Sequence, residues 1–408
     1  MHILDELVAR GVIKTHTDLS ALRAQMDAGP VTFYVGFDPT ADSCHVGHLT
    51  AVLTMRRLQA AGHQPIVVLG GGTAMVGDPS GKDQTRSMLT QEAIQSNIVA
   101  MRTQIGRLLR MAPDNVMVPG DNGAIVIDNG EWLLGLNYIS FLRDIGKHFS
   151  VNRMITSESA RLRLERNQGL SFIEFNYHLL QSFDYLELYR RYGCTLQVGG
   201  DDQWFNILGG VDLIRREEAT GVHAFTSPLL TTSDGKKMGK TEKGAVWIDP
   251  DKFSAYDYFQ YWVNVQDDDV VRFLKIYTDL TLAEIDALAQ LQGADIRQAK
   301  QALALEATAM LHGREAAQAA SDAAKQAFSG GVSTDMPSVS VSLPAGLVDV
   351  LEQSGLCKSR GDARRQIAQG AVRLGAGRDV RVEDTHLELT EETVVWRGKK
   401  NCVRVVST

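Results

Sequence analysis

VTFYVGFDPTADSCHVGHLTAVLTMRRLQAAGHQPIVVLG, Val31 to Gly70, holds two apolar runs on either side of an amphipathic stretch. Val31–Phe37 is rich in β-branched and aromatic residues and reads as a strand. Val46–Ala61 has the apolar spacing of an amphipathic helix and stops at Gly62, and Pro65–Gly70 is a second apolar strand. Strand, helix and strand with short connections make one right-handed βαβ unit, whose strands run parallel. The same alternation continues to about Val222, so the first half of the chain is predicted to be α/β with a parallel sheet.

The chain has 408 residues, more than one ordinary hydrophobic core serves, so several domains are expected. Residues 1–222 form the first. Residues 223–249 hold a lysine-rich loop and a connection, and residues 250–328 turn helical, with alanine-rich stretches at Arg297–Met310 and Glu315–Phe328. Residues 329–344, SGGVSTDMPSVSVSLP, are rich in Ser, Gly and Pro and poor in charge, and read as a flexible linker. A small α+β module, residues 345–408, closes the chain.

Hydrophobic residues make up 44% and charged residues 22%, and no apolar run is long enough to cross a bilayer. The N-terminal MHILDELVARGVIKTHTD lacks the basic start and apolar core of a signal peptide, which predicts a cytoplasmic protein. Cys44, Cys194, Cys357 and Cys402 are scattered and form no CxxC, against a disulfide framework or a cysteine zinc site. The net charge is −7, but from Leu347 onward there are 11 Lys/Arg against 9 Asp/Glu, so the tail is the basic end.

Three segments carry candidate chemistry. YVGFDPTADSCHVGHL, Tyr34–Leu49, runs from the first strand into the first helix, whose N-terminus favours a phosphate and which Asp42 or Ser43 can cap. His45 and His48 lie three apart and can both donate to one phosphate, and Gly47 between them leaves room for a flat base against the backbone. Alone, an HxxH is more often a capped surface helix with incidental histidines. Zinc is disfavoured by the lack of a third ligand at suitable spacing.

The second segment, GGGTAMVGDPSGKDQTR, brings Asp78, Lys82 and Arg86. It is no Walker A loop, because three residues separate Gly77 from Gly81 and Asp83 stands where Ser or Thr would hold magnesium. Gly70, Gly72 and Met75 do not make GxGxxG, and a tight turn alone explains the glycines as well. In the third, SDGKKMGKTEKG (Ser233–Gly244), Lys237, Lys240 and Thr241 can supply charge to a polyphosphate, although a lysine-rich loop is usually a solvated turn. Farther back, Tyr177, Gln181 and Asp184 fall at i, i+4 and i+7, placing two hydrogen-bonding groups and a carboxylate along one helix face.

Taken together, YVGFDPTADSCHVGHL resembles the HIGH signature and KMGKT the KMSKS signature of class I aminoacyl-tRNA synthetases. FNYHLLQSFDYLELYRRYGCTLQVGGDDQWFNI (Phe175–Ile207) and FLRDIGKHFSVN (Phe141–Asn152) are similar to segments of the bacterial tyrosyl members. SRGDARRQIAQGAVRL and RGKKN resemble their ribosomal-protein-S-four-type RNA-binding module. The resemblance implies a Rossmann-like catalytic domain carrying a dimer-interface insertion, then an α-helical anticodon-side domain and the RNA-binding module. It implies ATP with Mg2+ as substrate complex, no tightly bound protein metal, and L-tyrosine and tRNA(Tyr) as partners of a homodimer with no membrane association.

By the same resemblance, Thr40, His45 and His48 hold phosphates, while Lys82, Arg86, Lys237, Lys240 and Thr241 stabilise departing pyrophosphate. Gly47 and Asp202 serve the nucleoside, and Gln203 orients the reacting carboxylate. Asp38, with a further place in ATP binding, joins Asp78, Tyr177, Gln181 and Gln197 around the tyrosine ammonium and in support of its pocket. Tyr34 and Asp184 hydrogen-bond the substrate phenol, and phenylalanine would leave both unpaired.

The sequence departs from the family pattern at Val35, where a ribose-touching cysteine is common, at Cys44, an apolar position of the HIGH helix, and at Asp201, where serine is common. Gly239 departs from the general KMSKS form but is usual in tyrosyl enzymes. Tyr34 with Asp184 speaks against a tryptophanyl specificity, and intact HVGH and KMGKT speak against a non-catalytic RNA-binding paralogue.

Overall fold

The computed structural model describes residues 1–80, 89–233, 235, 238, 240–241, 244–329, 336–375, 378–398 and 401–408, with backbone alone at 240, 241, 244 and 327–329. The chain forms two compact units, Met1–Phe253 with Gln266–Gln292, and Ser254–Val265 with Gly293–Thr408. The helical stretch 250–328 is therefore shared between the two units.

In the first unit, β1 (Thr15–His16), β2 (Thr32–Phe37), β3 (Gln64–Leu69), β4 (Ile125–Asp128), β5 (Leu196–Gly200) and β6 (His223–Ser227) form one sheet in the order β1-β6-β5-β2-β3-β4. β2 to β6 pair in parallel, and the short edge strand β1 is antiparallel to β6. Every residue of β3 is buried, as expected for a strand covered on both faces. The chain leaves β2 for β3 and β4 on one side and returns to β5 and β6 on the other. The carboxyl ends of β2 and β5 thus flank the point where strand order reverses, where a parallel sheet opens a crevice for ligands.

Two helices shape that crevice. The Val46–Ala60 helix, the His helix, follows β2 and buries Leu49, Val52, Leu53 and Met55 against the sheet. The Phe172–Tyr192 helix, the longest in the unit, precedes β5. Its start is specified locally: Ser171 accepts from the Glu174 backbone N–H at 3.2 Å while the Glu174 carboxylate accepts from the Ser171 N–H at 3.4 Å. Its end is set by Gly193, at φ 60°, where a side chain would be strained. Phe183, Tyr185, Leu186 and Leu188 pack it into a core with Tyr34, Ile66, Val68 and Ile125.

In the second unit, the helices Ala255–Val263, Ile296–His312 and Arg314–Ser329 pack together. A five-stranded sheet follows in the spatial order 380–381, 372–374, 393–397, 401–407 and 338–341, with the helices Leu347–Gln353 and Arg360–Ala368. Ser338–Val341 corrects the expected linker, residues 329–344, because it is a strand parallel to Asn401–Ser407. Its SVSV text alternates in strand period, and Val339 and Val341 turn into the core while the serines face out.

Candidate active site

The crevice is lined from the ends of β2, β3, β4 and β5. Tyr34 on β2 stands beside Gln197 on β5 in register, and both are buried. Neither the Tyr34 hydroxyl nor Gln197 Oε1 has a hydrogen-bond partner among the described residues. Buried polar atoms left unsatisfied are costly, so two of them side by side mark a place prepared for a ligand.

Asp184, on the long helix, is 4% exposed. Its Oδ1 accepts from the Trp132 indole N–H at 2.7 Å and its Oδ2 from the Asn129 amide at 2.9 Å. Burial raises its pKa to about 7 against the opposing effect of those two bonds. Burial, followed by the nearby Asp184 charge, pushes the Tyr34 phenol well above its ordinary value. An uncharged phenol and a carboxylate whose pKa lies near 7 thus sit within electrostatic reach of each other.

A second polar cluster adjoins it. Asp38, just past β2, accepts from Thr73 Oγ1 at 2.8 Å and from the Tyr177 hydroxyl at 3.0 Å. Burial, then the charges of Asp38 and Asp78, keep Tyr177 protonated. Gln203 donates to Asp78 Oδ2 at 2.8 Å and accepts from Asn206 at 3.2 Å, so Asp78, the end of β5 and the next helix are tied together. Gln181, half-buried, lies one helical turn from both Tyr177 and Asp184. Gly70 is required here, because a Cβ would come within 2.3 Å of Asp38 Oδ1 and of Thr73 Oγ1.

The His helix starts at Val46, as the sequence suggests, but its cap is His45 rather than Asp42 or Ser43. The reason is that the backbone before it is engaged elsewhere: Ile248 N–H donates to the Cys44 carbonyl at 3.0 Å, and Gln104 accepts from Cys44 N–H at 2.8 Å. His45 Nδ1 accepts from the Gly47 N–H at 3.0 Å and His48 Nδ1 from the His45 N–H at 3.3 Å, with the two rings stacked 3.9 Å apart. A ring nitrogen that accepts carries no proton, so each neutral imidazole keeps its proton on Nε2, as a donor. Gly47 makes room first for the His45 ring, since a Cβ there would lie 2.7 Å from His45 Cε1. Thr40 is exposed, with its backbone N–H on the Asp38 carbonyl at 2.8 Å.

Backbone bonds bring the lysine-rich segment to the same place. Val46 N–H donates to the Val246 carbonyl at 3.0 Å and His45 pairs with Trp247, while Lys240–Thr241 pairs with Gly244–Ala245. Lys82, Arg86 and Lys237 lie outside the described residues, as do the side chains of Lys240 and Thr241. Asp202 sits half-buried in the turn after β5. Its neighbour Asp201 accepts from Thr15 Oγ1 at 2.8 Å and Thr226 Oγ1 at 2.9 Å, which ties the β1 and β6 edge to that turn.

Asn129 and Trp132 were not singled out by sequence. The available signal was their place directly after IVID, the apolar run of β4, since residues at the carboxyl ends of parallel strands face the crevice. Among the described residues no group of three His, Cys, Asp or Glu side chains converges as a metal site would require.

Comparison with known proteins agrees with this arrangement. Residues 26–329 match the family tRNA synthetases class I (W and Y), and residues 328–405 match the Tyrosine--tRNA ligase SYY-like C-terminal domain. Tyrosine--tRNA ligase 1 of Clostridium acetobutylicum is 46% identical, with 99% of each chain covered. Tyrosine--tRNA ligase of Rhizobium meliloti is 48% identical over 92% of this chain and 89% of its own. The C-terminally truncated mitochondrial tyrosyl-tRNA synthetase of Aspergillus nidulans superposes with a TM-score of 0.70 at 30% identity, covering 79% of this chain and 93% of its own. With its α/β crevice and its matches along nearly the whole length, this chain belongs to the class I tyrosine–tRNA ligases.

Proposed function

We infer that this protein is a tyrosine–tRNA ligase, which joins L-tyrosine and ATP into tyrosyl-adenylate with release of pyrophosphate and then transfers the tyrosyl group to the 3′ end of tRNA(Tyr). The observation that carries the choice of amino acid is that the Tyr34 hydroxyl, which lacks a partner among the described residues, lies within electrostatic reach of the buried carboxylate of Asp184. Tyr34 donates to the substrate's phenolic oxygen and Asp184 accepts its proton. A phenylalanine ring in the slot leaves both unsatisfied.

Adenylate formation is an in-line attack of the tyrosine carboxylate on the α-phosphorus, and it needs no protein nucleophile. The protein contributes position and charge. The Nε2–H groups of His45 and His48 donate to the phosphates beside Thr40, and Gln203, held by Asp78, orients the carboxylate. Asp38 and Asp78 offer negative charge to the substrate ammonium, with Tyr177, Gln181 and Gln197 completing its surroundings, and Asp202 receives the ribose. Lys82, Arg86, Lys237, Lys240 and Thr241 neutralise the leaving pyrophosphate. ATP enters as its Mg2+ complex.

The working form in this reading is a cytoplasmic homodimer. Ile139 at 70% exposure, Val151 at 60% and Phe172 at 68% present large apolar side chains in and beside the Phe141–Phe172 region, as a subunit interface would. Replacing Ile139 with Glu should then convert the dimer to monomer in sedimentation. Amino-acid-dependent ATP–pyrophosphate exchange tests the function: the parent should respond to tyrosine among the amino acids, and Asp184→Ala should lose the response.

A further inference from the structure

The Val270–Tyr277 helix of the first unit holds the lysine-rich loop at both of its ends. At its start, Asp269, 2% exposed, accepts from the Ser233 N–H at 2.9 Å. Arg272 bonds both Asp269 and the Thr231 carbonyl, which closes the base of the loop. At its end, Tyr277 is fully buried, with its hydroxyl 2.9 Å from Thr50 Oγ1, 3.1 Å from the Val46 carbonyl and 3.6 Å from Met238 Sδ. Val46 and Thr50 belong to the first turns of the His helix, and Met238 is the methionine of KMGKT.

A phenol has one proton. The Val46 carbonyl and the Met238 thioether only accept, so they compete for that proton, and Thr50 is the group left to donate to the phenol oxygen. Arg57 of the His helix fastens this end, donating to the Ile276 carbonyl of the helix and to the Thr278 carbonyl just past it, both at 2.9 Å.

We propose that Tyr277 is a positioning residue for adenylate formation: its hydroxyl registers Met238 of the lysine loop against the first turn of the His helix, so that both signature segments converge on one triphosphate. This rests on the ligase reading given above. Tyr277 touches no substrate. It acts through Met238 and Val46, and its effect appears where the charge of the loop matters most, in the transition state.

Tyr277→Phe removes the hydroxyl and keeps the ring. In tyrosine-dependent pyrophosphate exchange it should lower kcat roughly 5- to 10-fold, the worth of one neutral hydrogen bond, with tyrosine Kd from equilibrium dialysis unchanged. In a Met238→Leu background, which removes the thioether acceptor at similar volume, the same change should cost clearly less. An unaltered kcat, a tyrosine Kd that rises and a melting temperature that falls in step with the loss of kcat, or strictly additive losses in the double variant would each overturn the proposal. If the parent itself shows no tyrosine-dependent exchange, the ligase reading fails instead.

Discussion

Trp132 donates its indole N–H to Oδ1 of Asp184 at 2.7 Å, and this bond works against the burial that raises the carboxylate's pKa. Burial raises the Asp184 pKa to about 7, and the bonds from Asn129 and Trp132 oppose that rise. If, as proposed, the ionised form accepts the substrate phenol, tyrosine Kd should tighten as pH rises from about 6 to about 8. Trp132→Phe removes one opposing bond and should move the midpoint to higher pH, measured by equilibrium dialysis. The stability contribution runs the other way. The folded pKa lies above the ordinary value of 3.8, so the folded state holds more protons than the unfolded state between the two values. This group therefore costs stability progressively as pH rises from about 4 to about 7, with the cost complete above that.

Tyr34→Phe separates stability from function. The hydroxyl is buried and has no partner among the described residues, so removing it relieves a desolvation cost of about 1 kcal/mol or more. The variant should melt no lower than the parent. Its KM for tyrosine should nevertheless rise roughly 5- to 10-fold, because the substrate phenol loses a donor. A lower melting temperature with unchanged KM would contradict the assignment.

At the His helix, two substitutions divide capping from chemistry. His45→Asn keeps a good cap, since an asparagine oxygen accepts from the first-turn N–H groups, but it loses the Nε2–H donor. Stability should change by less than about 1 kcal/mol while adenylate formation falls roughly 10²-fold. Gly47→Ala gains about 1 kcal/mol of helix propensity and loses a similar amount as its Cβ drives the His45 ring from its cap. It should fold normally and form adenylate roughly 10²-fold more slowly, measured by single-turnover kinetics.

The Arg163–Glu174 pair tests how the long helix is anchored. Arg163 binds the Glu174 carboxylate at 2.9 and 3.1 Å, and both side chains are buried. Burial works to raise the Glu174 pKa, and the bonds from Arg163 and Ser171 outweigh it and leave it lowered. Arg163→Met leaves that charge unpaired and should cost about 3–5 kcal/mol in denaturant unfolding. Adding Glu174→Met should recover most of the loss. If the single variant were as stable as the parent, the pair would not be holding the start of the helix that carries Tyr177, Gln181 and Asp184.

Much of this was legible in the residues. The βαβ reading of Val31–Gly70 holds because strand and helix periods are local properties, and the i, i+4, i+7 spacing of Tyr177, Gln181 and Asp184 places them on one face for the same reason. What escaped depends on partners distant in sequence. Nothing in the text near Asp184 announces Asn129 and Trp132, 55 and 52 residues away. The cap of the His helix moved to His45 because Ile248, far downstream, takes the Cys44 carbonyl. The strand Ser338–Val341 was hidden by its serines and short length, although its Ser/Val alternation was in plain sight.

In the ligase reading, Tyr34 and Asp184 recognise the substrate's phenol. A crystal structure with a non-hydrolysable tyrosyl-adenylate mimic tests it most directly. The phenolic oxygen should lie within hydrogen-bonding distance of both the Tyr34 hydroxyl and an Asp184 carboxylate oxygen, with the phosphate beside His45 and His48. A mimic bound with its ring elsewhere, or with its hydroxyl paired to neither residue, would contradict the account.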